Sequence, residues 1–252
     1  MSLTPTLALI RTLEEKAFRA WPALETLSHA GWVQRFAGGY TKRANSINAL
    51  EAGTEFGCDL ATFLERPYRE RGLRPVWRLS PLAPPAADTI LAGRGYQRID
   101  ESLVQIASIG AHFTADAEVK ILPDPSPAWL AGFSELSPVV PEHRAAMSRM
   151  LHSIAAPVGF AHVEQGGRLV AFALGVADGG HVGLFDVLVS PLARRQGLAR
   201  RLTASIGAWG RAQGAHSVYL QVTLANSAAR PLYDALGFKT VYSYAYRVPP
   251  AP

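Results

Sequence analysis

A chain of 252 residues, 48 % of them hydrophobic, holds enough apolar material for one large domain or two small ones. Its 25 Lys and Arg against 20 Asp and Glu leave a net charge of +5, which favours anionic ligands, and its single cysteine excludes an internal disulfide or a cysteine-built zinc site. No apolar stretch can span a bilayer and the opening Met1-Ser2-Leu3-Thr4-Pro5 lacks a signal-peptide pattern, so the cytoplasm is expected, with neither a membrane partner nor a metal.

In chain order, Gly38-Gly39 precedes a polar, basic stretch from Tyr40 to Ser46 that reads as a surface hairpin or as the lining of a substrate pocket. Leu60 and Leu64 lie one helical turn apart, Arg71-Gly72 and Val76-Trp77 follow, and Gly95-Tyr96 comes after a further apolar stretch. A domain boundary is expected between Ala111 and Pro127, where His112-Phe113-Thr114-Ala115-Asp116 gives way to Pro123-Asp124-Pro125-Ser126-Pro127.

Beyond it, helical patterns cover Pro127 to Glu135 and Pro141 to Ile154. Pro157 to Val163 reads as a strand closed by the turn Glu164-Gln165-Gly166-Gly167. Arg168 to Val176 and Val182 to Val189 form a hairpin around Asp178-Gly179-Gly180. Ser217 to Val222 is a strand, Asn226 to Leu236 a helix and Thr240 to Val248 a last strand, with Gly214 and Gly237 placed for left-handed helix ends.

Between the strands at Val189 and Ser217 lies Arg194-Arg195-Gln196-Gly197-Leu198-Ala199-Arg200-Arg201, which opens a helix whose apolar stripe is Leu198, Leu202, Ile206 and Trp209. The first turn of such a helix carries unpaired N–H groups and a positive dipole end. Gly197 and Ala199 keep side chains out of the way, so a pyrophosphate can approach the backbone. The arginines have no interleaved aromatics to stack on bases, and no zinc-finger or RNA-binding motif accompanies them, so nucleic acid is not the expected partner.

The R-x-x-G-x-A spacing resembles the coenzyme A loop of GNAT N-acetyltransferases, and Asn226-Ser227-Ala228-Ala229-Arg230-Pro231-Leu232-Tyr233-Asp234-Ala235-Leu236-Gly237-Phe238 resembles the family's N-x-x-A-x-x-L-Y-x-x-L-G-F helix. The resemblance covers roughly residues 118 to 248. It implies a mixed, partly antiparallel α/β sheet of the GNAT acyl-CoA N-acyltransferase fold, acetyl-CoA as acetyl donor, and transfer to a primary amine by direct attack in a ternary complex. It implies that Arg194, Arg195, Gln196, Gly197, Leu198, Ala199 and Arg200 hold the pyrophosphate, and that Leu188 and Val189 offer backbone groups to the pantetheine arm and the thioester carbonyl.

Tyr233 matches the tyrosine that serves the departing thiolate. Asn226 is expected to cap the helix and meet the pantetheine, and Arg230 to reach the coenzyme phosphates or to be solvated. For the base there are two candidates. The place of Gln221 resembles the one that holds a glutamate base in GNATs that acetylate protein N-termini; glutamine cannot accept a proton, though it can orient a water or the acceptor. Asp186, an acid inside the apolar run Leu184 to Val189, is the other candidate; a strand-embedded carboxylate needs a partner or a cleft. His181 and His216 read as solvated turn residues. Pro231 departs from the pattern: with Asn226 as cap it falls inside the helix, at about 3 kcal/mol unless the helix begins later or bends.

The chain also resembles itself. Gly72 and Gly214, Gly95 and Gly237, Leu60 and Leu202, and Leu64 and Ile206 are each 142 residues apart. Under that shift Arg194 falls on Ala52, Gly197 on Glu55 and Tyr233 on Leu91, so the first half lacks the anion loop and the tyrosine. The expected organisation is a degenerate GNAT-like domain over residues 1–115 and a catalytic one over 118–252. Tandem halves can bury within one chain the surface that a dimer would cover, which favours a monomer with a dimer as the alternative. The competing reading of function is a non-catalytic acyl-CoA sensor or scaffold, which glutamine in place of an acid would suit.

Overall fold

The computed structural model describes residues 5–137 and 139–250, so most of the opening stretch from Met1 lies outside the described residues. In chain order the elements are α1 (Leu7–Ala20), β1 (Glu25–His29), β2 (Trp32–Phe36), β3 (Ile47–Ala49), α2 (Cys58–Glu70), β4 (Trp77–Leu79), α3 (Pro85–Gly93) and β5 (Gln97–Ser108). There follow β6 (Val119–Leu122), α4 (Pro127–Leu136), α5 (Arg144–His152), β7 (Val158–Gln165), β8 (Arg168–Asp178), β9 (His181–Val189), α6 (Leu198–Ala212), β10 (Ser217–Thr223), α7 (Arg230–Ala235) and β11 (Lys239–Val248). No described helix is long and apolar enough to cross a membrane.

The chain forms two compact units that cut across the sequence halves. One contains the residues up to Val104 with Val222–Asn226 and the segment from Thr240; the other contains Gln105–Gln221 and Ser227–Lys239. In the first unit the strand order is β1-β2-β3-β4-β11-β5. β2 pairs antiparallel with β3, β3 parallel with β4, and β4 antiparallel with β11. α1 contributes Ile10, Leu13 and Ala17 to the core, and α2 contributes Ala61, Leu64 and Tyr68. Phe56 packs with Trp32 and Trp77, each ring centroid 5.2 Å away.

In the second unit the order continues from the end of β5 through β10, β9, β8 and β7 to β6. β8 pairs antiparallel with β9, and β9 parallel with β10, repeating the β2, β3 and β4 arrangement of the first unit. α6 lies against this sheet because its stripe is apolar, with Leu198, Leu202 and Ile206 at most 2 % exposed. Its close approach is possible because the facing positions are small: a Cβ on Gly175 would stand 2.9 Å from Ile206, and one on Gly159 would stand 3.2 Å from Trp209. Phe113 also packs on α6, where a Cβ on Gly207 would stand 2.1 Å from its ring.

Several expectations need correction. Tyr40 to Ser46 is not a surface hairpin: Tyr40, Ala44, Asn45 and Ser46 are buried. The Asn45 side chain accepts from the N–H groups of Ala37 (2.7 Å) and Gly39 (2.9 Å), which draws the loop inward. The stretch between Ala111 and Pro127 contains β6, too short and too mixed to stand out in sequence, paired with β7. The helix expected from Asn226 begins only at Arg230. Gly214 and Gly237 are left-handed, at φ +85° and +84°.

Candidate active site

β9 and β10 run side by side only from His181–Ser217 to Leu184–Leu220. Immediately beyond, β9 carries one extra residue: Leu174 of β8 faces Phe185, while Phe172 faces Leu188. Asp186 sits in this bulge in the left-handed region, at φ +49°. A bulge of this kind bends its strand and ends regular pairing. The result is a stretch of β9 from Asp186 to Val189 that is half-buried, where the residues before it are buried.

Backbone direction follows from alternation along an antiparallel strand. The Ser190 N–H donates to the Val170 carbonyl at 2.8 Å, so Ser190 and Leu188 turn their polar groups toward β8. Val189 therefore turns its own away from β8, and so does Val187. Of the two strand residues expected to offer backbone groups, Val189 turns them away from β8 and Leu188 turns them toward it. That Val187 shares the direction of Val189 was not legible in sequence, because a bulge that shifts the alternation leaves no mark in an apolar run.

β9 leads through a turn at Pro191–Ala193 into the loop before α6. Arg195 and Gly197 both adopt left-handed backbone, at φ +65° and +76°. Gly197 is the residue preceding α6, no side chain caps the helix, and a Cβ at Gly197 would meet nothing within 4 Å. The first N–H groups of α6 thus have no capping side chain as acceptor. Arg194, Arg195, Gln196 and Arg200 are exposed. Gln196 accepts from the Gln165 side chain at 3.1 Å. Among the described residues, Arg194, Arg195, Arg200 and Arg230 have no ion-pair or hydrogen-bond partner for their guanidinium groups.

Arg201 differs from its neighbours. It donates to both carboxylate oxygens of Asp116 (2.7 and 2.8 Å) and to Glu118. That guanidinium holds the Asp116 carboxyl down at about 2, helped by the Glu118 N–H. The Asp116 N–H in turn donates to Ser205 at 3.0 Å, fastening the start of β6 to α6. The cluster of four arginines is therefore three free cations and one structural one.

Tyr233, on α7, is 8 % exposed, and burial pushes its phenol up to about 12. It stays protonated throughout the neutral range, and its ring meets Phe238 at 5.6 Å. Pro231 stands in the first turn of α7, where the missing N–H has no intrahelical partner to lose. The conflict with Asn226 as cap disappears because Ala229 holds the cap position with no side-chain bond, and Asn226 lies in the preceding turn with its N–H on the Thr223 carbonyl at 3.0 Å. Gln221 follows the last residue of β10 that pairs with β9 and is half-buried. His181 and His216 pack against each other, ring centroids 5.3 Å apart, at the opposite ends of β9 and β10 from the bulge. Among the described residues no group of three or more His, Cys, Asp or Glu is placed to hold a metal ion.

β9 carries a bulge beyond its parallel pairing and leads into an uncapped helix, and a buried tyrosine stands on the next helix. The sequence model of a single family, described as the probable histone acetyltransferase Rv0428c C-terminal family, matches residues 7–247. The chain belongs to that family. It is a GNAT-type N-acetyltransferase. The uncharacterized N-acetyltransferase YobR of Bacillus subtilis is 26 % identical over 250 residues, covering 95 % of this chain and 98 % of its own. A GCN5-related N-acetyltransferase from Kribbella flavida shares the fold at TM-score 0.71 and 16 % identity, over 99 % of this chain and 98 % of that one. A tandem GNAT protein from the clavulanic acid pathway does so at TM-score 0.62 and 12 % identity, over 95 % and 89 %.

Proposed function

We propose that this acetyltransferase takes the acetyl group from acetyl-CoA and passes it to a primary amine by direct attack. The observation that carries this reading is the left-handed loop at Gly197 leading into an uncapped α6 among three unpartnered arginines. A pyrophosphate there would accept from the first N–H groups of α6, with Arg194, Arg195 and Arg200 neutralising its charge. Arg230 would serve the same phosphates, and Asn226 the pantetheine. The coenzyme's amide-bearing arm would run along β9, meeting the backbone of Val187 and Val189.

The neutral amine attacks the thioester carbon, and the carbonyl oxygen gathers negative charge that a β9 N–H beyond the bulge stabilises. The attacking nitrogen loses a proton to Asp186, or to a water held by Gln221. As the carbon–sulfur bond breaks, the thiolate takes a proton from Tyr233, which is protonated and faces no other acceptor among the described residues. The chemistry is assigned to residues 118–252. Among the described residues of the first half, α2 follows Gly57 with Glu55 just before it and Asp59 in its first turn, both repelling an anion.

Titration of acetyl-CoA into the wild type, Gly197→Glu and Tyr233→Phe, followed by amine-dependent thiol release, tests the reading. Gly197→Glu copies the first half and should lose binding, whereas Tyr233→Phe should bind normally and turn over slowly. Tight binding by Gly197→Glu would show that the loop is not the phosphate site.

A further inference from the structure

The first unit contains a buried ionic cluster that no step of the proposed chemistry uses. Glu14 on α1 is fully buried and Arg78 on β4 is 2 % exposed; Arg78 donates to both Glu14 oxygens. The Tyr242 hydroxyl of β11 donates to Glu14, and the Arg78 guanidinium lies 3.6 Å from the ring centroid of Tyr244. Buried ion pairs are poor sources of stability compared with apolar packing, and their best-attested use is to select one arrangement over a close competitor.

Here the competitor follows from the internal repeat. A shift of 142 residues carries β5 onto β11, so two equivalent strands are available to stand beside β4. The strand that does so is β11, from the other half of the sequence. β11 presents Tyr242, Tyr244 and Tyr246 at alternate positions, all buried. β5 carries Asp100, Ser102 and Val104 at the matching places. With β5 beside β4, a second carboxylate would approach Glu14 and no ring would lie against Arg78. In the observed arrangement Asp100 is near the surface, in an ion pair with Lys42 at 2.8 Å.

We propose that the Glu14–Arg78 pair is a strand selector: it accepts the tyrosine-bearing β11, rejects the acid-bearing β5, and so leaves the end of β5 to the unit that carries the α6 loop. The inference rests on the duplicated halves and is independent of the proposed chemistry. β11 is held further by Arg247, which donates to Asp88 at 2.9 and 3.0 Å and to the Tyr96 carbonyl at 2.8 Å.

The test uses the full chain with Cys58→Ser and two pairs of reporter cysteines. Pro81 and Ser243 line one cavity of about 400 Å³, so Pro81→Cys with Ser243→Cys reports the observed order. Glu101 is the counterpart of Ser243 under the shift, so Pro81→Cys with Glu101→Cys reports the alternative. Each chain is refolded from denaturant under oxidising conditions and its disulfide located by peptide mass. The parent should form the 81–243 link and no 81–101 link. Tyr242→Phe with Asp100→Asn removes the hydrogen bond to Glu14 and the repulsion while leaving Glu14 bound to Arg78, and the 81–101 link should appear alongside the 81–243 link. Exclusive formation of the 81–243 link in that variant would overturn the proposal. Should the double variant not refold, Glu14→Leu with Arg78→Met, an apolar replacement of the buried pair, takes its place under the same criterion.

Discussion

Tyr233 illustrates how much one buried residue can report. Its phenol is raised to about 12, so the folded state favours the neutral ring, and this contribution to stability is complete below pH 10, the unfolded value. It is lost as pH rises from 10 through 12. Tyr68 and Tyr96 are raised by burial as well, so the melting temperature should hold nearly constant toward pH 10 and then fall steeply. Tyr233→Phe should soften that alkaline fall while lowering kcat by at least about tenfold, as expected when a positioned acid is removed. Pre-steady-state thiol release at pH 7 to 9 would show no decline attributable to loss of the Tyr233 proton. Asp116 has the opposite sign. Arg201 holds its carboxyl near 2, so the stability it adds is present above about 4 and disappears as pH falls toward 2. Asp116→Asn should therefore melt earlier than the parent at pH 7 and alongside it at pH 2, measured by thermal unfolding across that range.

At the scale of elements, α6 and α7 make contrasting predictions. α6 is packed without slack against Phe113, where a Cβ on Gly207 would stand 2.1 Å from the ring. Gly207→Ala should cost about 1–3 kcal/mol by overpacking, seen as a lower denaturation midpoint with an unchanged slope. α7 has slack of another kind. Pro231 occupies its first turn, so Pro231→Ala should change stability by less than about 1 kcal/mol, far from the roughly 3 kcal/mol of a mid-helix proline. The α6 stripe and both glycine helix ends were legible in sequence because they depend on neighbours within a few residues. The start of α7 was not, since a capping asparagine and a turn asparagine look alike until the chain before them is placed. The bulge at Asp186 was legible only as an acid in an apolar run. Its consequence, that Val187 and Val189 rather than Leu188 turn away from β8, depends on a hydrogen bond between Ser190 and Val170.

For the whole molecule, the units and the sequence halves do not coincide. The last strand belongs with the first unit, and residues 105–108 of β5 belong with the second. Residues 118–252 produced alone would leave β10 without the end of β5, and β11 without β4. That fragment should show no cooperative melt and weak near-ultraviolet circular dichroism, whereas the full chain should show both; a sharp melt of the fragment would mean that β11 can return to its own half.

The family resemblance, the apolar faces and the recurring 142-residue shift were legible in the sequence, because each is written in spacings of a few residues or in one constant offset. Only the tertiary structure decided which arginines are free, where the backbone of β9 opens and which of two equivalent strands pairs with β4. Those outcomes turn on partners far apart in the chain: Asp116 with Arg201, Val170 with Ser190, Glu14 with Tyr242. Local spacing carries no record of such pairings; burial and hydrogen bonding settle them only once the chain has closed on itself.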